Sequence, residues 1–344
     1  MLNYLSFAAL SFVVGCRTIK HADIVIVESP PLFLAFSGYL LTKFKKAKFV
    51  LNVSDLWPES AVVLGMLRSK LMVKWATLAE EWLYRQASVI TGQTEGIVRS
   101  IRQRCATPVF LLTNGVTPEF LERAARARTA RDPLRTRFKF GGLFIVAYTG
   151  VHGLAQGLNT VLRSAELLKE HNTIRFCFFG DGPDKEQLQA VASRKKMCNV
   201  EFFSPLPSEE MAELLAAVDV SVVPLRRNEL FKGALPSKLF EALGAGVPVI
   251  ASVEGEAKRL IESSASGLVV EPENPADMAQ KILTLFHDPE LRARLGENGR
   301  NYARVHYNRE EIAKRFESLI VSATSSQSLS QSKLQEKLLD RDTA

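Results

Sequence analysis

Cysteine is scarce in this chain: four in 344 residues, Cys16, Cys105, Cys177 and Cys198. They stand far apart and form no CxxC or Cys/His spacing. That argues against a zinc module and a disulfide framework and makes a reduced, cytoplasmic setting the default. Long apolar runs are missing as well. The opening LNYLSFAALSFVVGC is about fifteen residues, short of the ~20 that span a bilayer, and it has no basic n-region of a signal peptide. It reads as a buried helix, or as one lying on a surface. Acidic residues are outnumbered, 37 against 44 Lys and Arg, for a net charge of +7. The excess is local: from Glu122 to Lys139 seven basic residues face two acidic ones. No nucleic-acid recognition motif accompanies it, so no nucleic-acid partner is expected.

What is present is ordinary for a globular protein, with 47% hydrophobic and 24% charged residues, in a chain long enough for two cores. Short β-branched runs alternate with helical patterns. Strands are expected at 23–27, 48–53, 88–91 and 108–112, with helices at 31–45, 59–85 and 94–104. The pattern restarts with strands at 143–149, 174–179, 199–203, 219–223, 247–251 and 267–270, each followed by a helix. Continuous apolar strands separated by helices predict parallel sheets covered on both faces. The expected fold is therefore α/β, with two Rossmann-like, doubly wound domains facing a cleft. The first domain covers 1–122, a basic linker 123–141, and the second domain 142–289. Helices at 290–320 are expected to pack back toward the first domain. The Ser- and Gln-rich 321–344 reads as a disordered tail.

Two stretches carry the chemistry. Gly180-Asp-Gly182-Pro follows a strand and opens a helix, where glycine lets the backbone turn and approach a ligand. A strand-to-helix turn with no ligand explains the same residues. The second stretch is richer: Lys232-Gly233-Ala234-Leu235-Pro236-Ser237-Lys238, with Glu241 one turn later. A slim loop, a helix start with Pro236 at its first position, and a lysine favour an anion such as a diphosphate. Glu241 is placed to accept hydrogen bonds from the paired hydroxyls of a ribose. The plainer alternative is a capped helix with a surface Lys–Glu pair. Asp55-Leu-Trp57-Pro-Glu59 follows a strand end, where Asp55 and Glu59 suit an acceptor hydroxyl and Trp57 a sugar ring. Trp57 reads equally as core, with Glu59 opening the next helix. Gly150 and His152 follow the first strand of the second domain, although a lone histidine there is more often structural. Lys43, Lys45, Lys46 and Lys48 cluster at a helix end, facing solvent or anionic lipid.

PSKLFEALGAGVPVIAS, FGDGP, YTGVHGLAQGLNTVLRSAELL and VVPL resemble the donor-binding half of family 4 glycosyltransferases, two-domain retaining enzymes of the GT-B fold. SPPLFLAFSGYLL with NVSDLWPESAVVLGML resembles the subgroup that builds bacterial O-antigen and colanic acid. TNGVTPEFL resembles the end of that family's first domain. The resemblance runs from about residue 20 to 318. It implies transfer of a sugar from an NDP-sugar, UDP favoured, to a lipid-linked or polysaccharide acceptor, with no bound metal or organic cofactor. It implies donor contacts at Gly150, His152, Gly180, Gly182 and Lys232 through Lys238, a ribose contact at Glu241, and catalysis carried by Lys238 with Asp55 and Glu59. A cytoplasmic enzyme touching the inner face of the membrane follows.

Three departures qualify it. The family pattern places two glutamates eight positions apart, but the position eight before Glu241 is Gly233. The Arg and Lys that open the family's second domain are replaced by His152 and Gln156. Similar proteins begin about sixty to eighty residues earlier, roughly two βαβ units, so a first domain shortened at its amino end is expected. That leaves two alternatives open: a nucleotide-sugar-binding protein without turnover, and a nucleotide-sugar 2-epimerase on the same fold.

Overall fold

The computed structural model describes residues 2–63 and 65–324. Two compact units emerge, one from Met1–Thr113 with Glu311–Ala344, the other from Asn114–Glu310.

The first unit opens with α1 (Leu2–Thr18), β1 (Ile24–Ser29), α2 (Leu32–Lys45) and β2 (Lys48–Val53). There follow α3 (Glu59–Val63), α4 (Lys70–Gln86), β3 (Val89–Gly92), α5 (Glu95–Arg102) and β4 (Val109–Leu111). The single helix expected at 59–85 is thus two, because Gly65 takes a positive φ of 72° and ends the first. Ser69 then caps α4, its side chain accepting from the Met72 N–H. The strands pair in parallel in chain order, β1-β2-β3-β4. Among the described strands of this sheet the order does not reverse. The sheet's second face is covered by the chain's return.

The second unit runs α6 (Pro118–Thr129), α7 (Arg131–Arg137), β5 (Phe144–Thr149), α8 (Asn159–Leu167), β6 (Ile174–Phe179), α9 (Lys185–Arg194) and β7 (Val200–Phe203). It continues through α10 (Ser208–Ala217), β8 (Val220–Pro224), α11 (Ser237–Ala245), β9 (Val249–Ser252), α12 (Gly255–Ser264), β10 (Gly267–Val270), α13 (Pro275–His287) and α14 (Pro289–His306). The six strands are parallel in the order β10-β9-β8-β5-β6-β7. Three strands run one way from β5 and three the other way from β8, the doubly wound arrangement with its switch point between β5 and β8. Last comes α15 (Arg309–Thr324), whose Leu319 and Ile320 pack on Val50, Val89 and Phe110 of the first sheet. Of the expected tail, 325–344 lies outside the described residues.

Residues 123–141 are not an extended linker but the greater part of α6, then α7 and a short turn, within the second unit. Most of their arginines bond within the unit. Asp219 accepts from Arg131 at 2.7 Å, from Arg135 at 3.1 Å and from the Ile145 N–H at 2.8 Å. Arg137 bonds Glu210 at 2.6 Å, and Arg128 bonds the Gly246 carbonyl at 2.9 Å. The local charge that looked like a linker is a clamp on α10 and on the end of α11.

The core of the second unit is apolar and aromatic. Phe176 in β6 is fully buried, in one cluster with Val146, Val220 and Ile250 from β5, β8 and β9 of the same sheet. Phe176→Ala is expected to cost about 3–5 kcal/mol. Hydrogen exchange under denaturant should show β5 and β6 losing protection at lower concentration, with β2 and β3 unchanged.

Candidate functional site

The site is built at the switch point of the second sheet, from the carboxyl ends of β5, β6 and β8. The turns after β5 and β6 interlock through backbone alone. Gly150 N–H donates to the Phe179 carbonyl at 2.9 Å, and His152 N–H to the Asp181 carbonyl at 2.8 Å. Gly180 and Gly182 take φ of 144° and 149°. A Cβ on Gly180 would stand 1.9 Å from the Gly150 oxygen, and one on Gly182 2.5 Å from the His152 oxygen. Only glycine fits either place. Lys185, on the first turn of α9, ties the turn down by donating to the carbonyls of Gly180 at 2.7 Å and Phe203 at 3.0 Å.

From the β8 side, a short 3-10 turn at Leu230–Gly233 leads through Ala234 and Leu235 into α11. Pro236, expected as the first helical residue, is the cap position instead (φ −60°, ψ 134°), and Ser237 begins the helix. No side chain caps it, so the helix start keeps donors and a positive dipole end for a ligand. Lys238 does not form the surface Lys–Glu pair of the plainer reading. Its Nζ donates to the Tyr148 hydroxyl at 2.6 Å and lies 3.9 Å from the centre of that ring. The Tyr148 hydroxyl in turn donates a hydrogen bond to the Val151 carbonyl at 2.6 Å. Burial pushes the Lys238 amine down to about 7, against the pull of Glu241. A Cβ on Gly150 would stand 3.0 Å from that Nζ, so the bare glycine keeps the approach to the amine open. Glu241, one turn further on, has its carboxyl pushed up by burial, with Lys238 and Arg309 offsetting part of the rise.

His152 lies fully buried beside this group, against Tyr148, Phe178 and Phe202. Neither ring nitrogen has a partner, and burial, with Lys185 and Lys238 nearby, pushes its pKa down to about 4. It is a neutral imidazole whose two ring nitrogens are both enclosed. Lys232, by contrast, is engaged at the surface with Glu229 at 2.6 Å. The loop that holds it is braced from α12, since a Cβ on Gly255 would meet the Lys232 oxygen at 1.9 Å. Tyr148, Lys185, Arg309 and Gly255 were missed in the sequence. Tyr148 sits in an apolar strand pattern and reads there as core.

The first unit holds the other expected pair separately. Burial pushes the Asp55 carboxyl up, with hydrogen bonds from Ser60 and the Leu56 backbone opposing. Glu59 is tied by an ion pair to Arg104, which also reaches the buried Glu80 at 3.0 Å. Burial and the neighbouring Glu59 push Glu80 up to about 8. Glu59 therefore belongs to a buried charge cluster rather than standing free for a ligand. Among the described residues no group of three His, Cys, Asp or Glu is placed to hold a metal ion, and no helix is long and apolar enough to cross a membrane.

Residues 133–302 match the family model described as glycosyl transferases group 1. The chain is 26% identical over 271 residues to a probable glycosyltransferase, WbjE, of Pseudomonas aeruginosa, covering 76% of this chain and 66% of that protein. It thus spans about two thirds of that relative's length. It is 27% identical over 331 residues to the putative colanic acid biosynthesis glycosyl transferase WcaI of Escherichia coli strain K12, covering 92% and 78%. Among solved structures, Anabaena HepE in complex with UDP and glucose superposes with a TM-score of 0.72 at 16% identity, covering 92% of this chain and 81% of that one. That likeness shows the fold. The chain is thus a transferase of GT-B fold whose residues 133–302 match glycosyl transferases group 1.

Proposed function

We propose that the chain is a retaining glycosyltransferase that takes a sugar from a nucleoside diphosphate sugar, with UDP favoured, and passes it to a lipid-linked or polysaccharide acceptor in surface-polysaccharide assembly. The observation that carries the donor half is the uncapped start of α11 with the Lys238 amine beside it, at the point where β5 and β8 part. The HepE complex with UDP and glucose and the colanic acid relative support the substrate class. The reaction would run at the cytoplasmic face of a membrane, with no resident cofactor.

In this reading the diphosphate meets the N–H groups of Ser237 and Lys238 and the dipole of α11, while Glu241 holds the ribose. An arriving dianion raises the Lys238 pKa, so the amine takes up a proton as the donor binds. The resulting ammonium then stabilises the charge that grows on the leaving diphosphate, an effect of about 10²–10³ in kcat for one well-placed donor. Gly150, Gly180 and Gly182 allow the backbone to come close, and the buried, neutral His152 supports from behind the turn that meets the sugar or phosphate. Gly233, Ala234, Leu235 and Pro236 shape the loop, and Lys232 adds charge at its rim. Asp55 is the acceptor-side carboxylate, and Glu59, held by Arg104, positions that loop.

Calorimetric titration with UDP should give micromolar affinity, about −8 kcal/mol, lost in Lys238→Ala and Glu241→Ala. No heat from a folded sample with UDP, GDP or ADP would remove the donor assignment. Binding without transfer to lipid-linked acceptors would favour a nucleotide-sugar-binding protein, and release of an epimerised free sugar a 2-epimerase. The affinity should also fall as pH rises above about 7, because the free amine then starts deprotonated and the proton must come from solvent. Wild-type titrations in buffers of different ionisation heat should reveal proton uptake at pH 8. In the unliganded protein the depressed amine makes the unfolded state bind the extra proton between about pH 7 and the ordinary lysine value, so stability rises with pH across that window. The wild-type minus Lys238→Met difference in denaturant midpoint should show this slope.

A further inference from the structure

The second unit has a hollow at the end of its sheet opposite the turns after β5 and β6. It lies at the amino ends of β8 and β9, where Asp219 and Pro248 precede the strands, and holds about 240 Å³. Buried Leu215, Val218 and Val247 line part of it. Its charged lining is unbalanced: Arg128 of α6, Arg131 of α7 and Arg292 of α14 stand against the single carboxylate of Asp219. Arg292 comes from far along the chain, so the fold itself gathers these guanidinium groups.

The nearby carboxylates are already engaged. Asp219 accepts from Arg131, Arg135 and the Ile145 N–H. Glu297 bonds Arg300 at 2.6 Å and stays 3.9 Å from Arg128. The arginines, by contrast, keep donors in reserve, each having five N–H groups. Arg131 Nε is buried without a partner. Among the described residues Arg292 makes its hydrogen bonds through Nη1 alone, to the Leu285 and Phe286 carbonyls. Burial holds both Arg128 and Arg292 below the ordinary arginine value, and repulsion from Arg131 adds to the effect at each. An anion relieves such a gathering of half-buried like charges.

Size and charge select that anion. At about 240 Å³ the hollow falls short of the roughly 300–1,000 Å³ that encloses a drug-sized ligand, so a nucleotide sugar does not suit it. Three guanidiniums and one carboxylate leave two positive charges, which match a dianion, and the guanidinium fork pairs with phosphate oxygens. A carboxylate ligand would leave one charge unanswered. We propose that the hollow bounded by α6, α7, α10 and α14 binds a small phosphate dianion, either free phosphate or a compact phosphate monoester. It stands apart from the donor site and does not depend on the donor reading.

The test is calorimetric titration with inorganic phosphate at pH 8, on the wild-type chain and on Lys238→Ala, which lacks the donor-side amine. Saturable binding is expected in both, weakening as salt rises. Adding Arg292→Gln to Lys238→Ala should weaken it about tenfold or more, as for other hydrogen bonds to charged groups. Arg292 also holds the end of α13, so a second variant keeps every arginine. Ala293→Glu sets a carboxylate at an exposed position on the rim; it should weaken phosphate by a similar factor without lowering the thermal transition. Glycerol 3-phosphate separates the two sources: tighter binding than phosphate assigns a monoester, weaker binding free phosphate. No phosphate binding by a folded sample would overturn the proposal, as would binding indifferent to both substitutions. Binding lost in Lys238→Ala would also overturn it, by placing the ion at the start of α11.

Discussion

A lysine amine kept partly dry against a tyrosine is the constraint on which the site depends. Desolvation disfavours the charged ammonium, and the Tyr148 hydroxyl fixes the amine in place. The arrangement requires β5 and β8 to be neighbours, because Tyr148 comes from one and the chain leading to Lys238 from the other. It requires a bare Gly150 beside the amine and a helix whose first turn is not capped by its own side chains. In the proposed reading an anion would meet the uncapped helix start and draw a proton onto the depressed amine, which is the basis of the electrostatic account of leaving-group stabilisation.

Elsewhere charge is spent on holding the fold. The arginines of α6 and α7 reach Asp219, Glu210 and the end of α11, so the basic run serves packing in the second unit. In the first unit Arg104 gathers Glu59 and the buried Glu80. Arg104 thereby joins the loop after β2, through Glu59, to Glu80 of α4.

The alternation of apolar strands with helices was enough to read the strands of both sheets, because parallel strands buried on both faces leave little room for polar residues. The glycine turn at Gly180–Gly182 and the helix opening at Ser237 were legible from local rules about backbone freedom and helix starts. What failed did so for physical reasons. A dense arginine run reads as solvated until its partners, some eighty residues away in Asp219, are known. Glycine at position 65 was too weak a signal to divide the helical stretch at 59–85. The state of Lys238 was illegible, since a surface Lys–Glu pair and a half-buried amine have the same sequence. Tyr148 was hidden because its hydroxyl matters only once β8 lies beside β5.

The most direct measurement is the titration of the Lys238 side chain itself, followed by NMR on lysine labelled at Cε, with Lys238→Arg used to assign the signal. The account predicts a midpoint near 7 in the free protein, moving upward when UDP is added. A midpoint at the ordinary lysine value of about 10.4, unmoved by UDP, would contradict it.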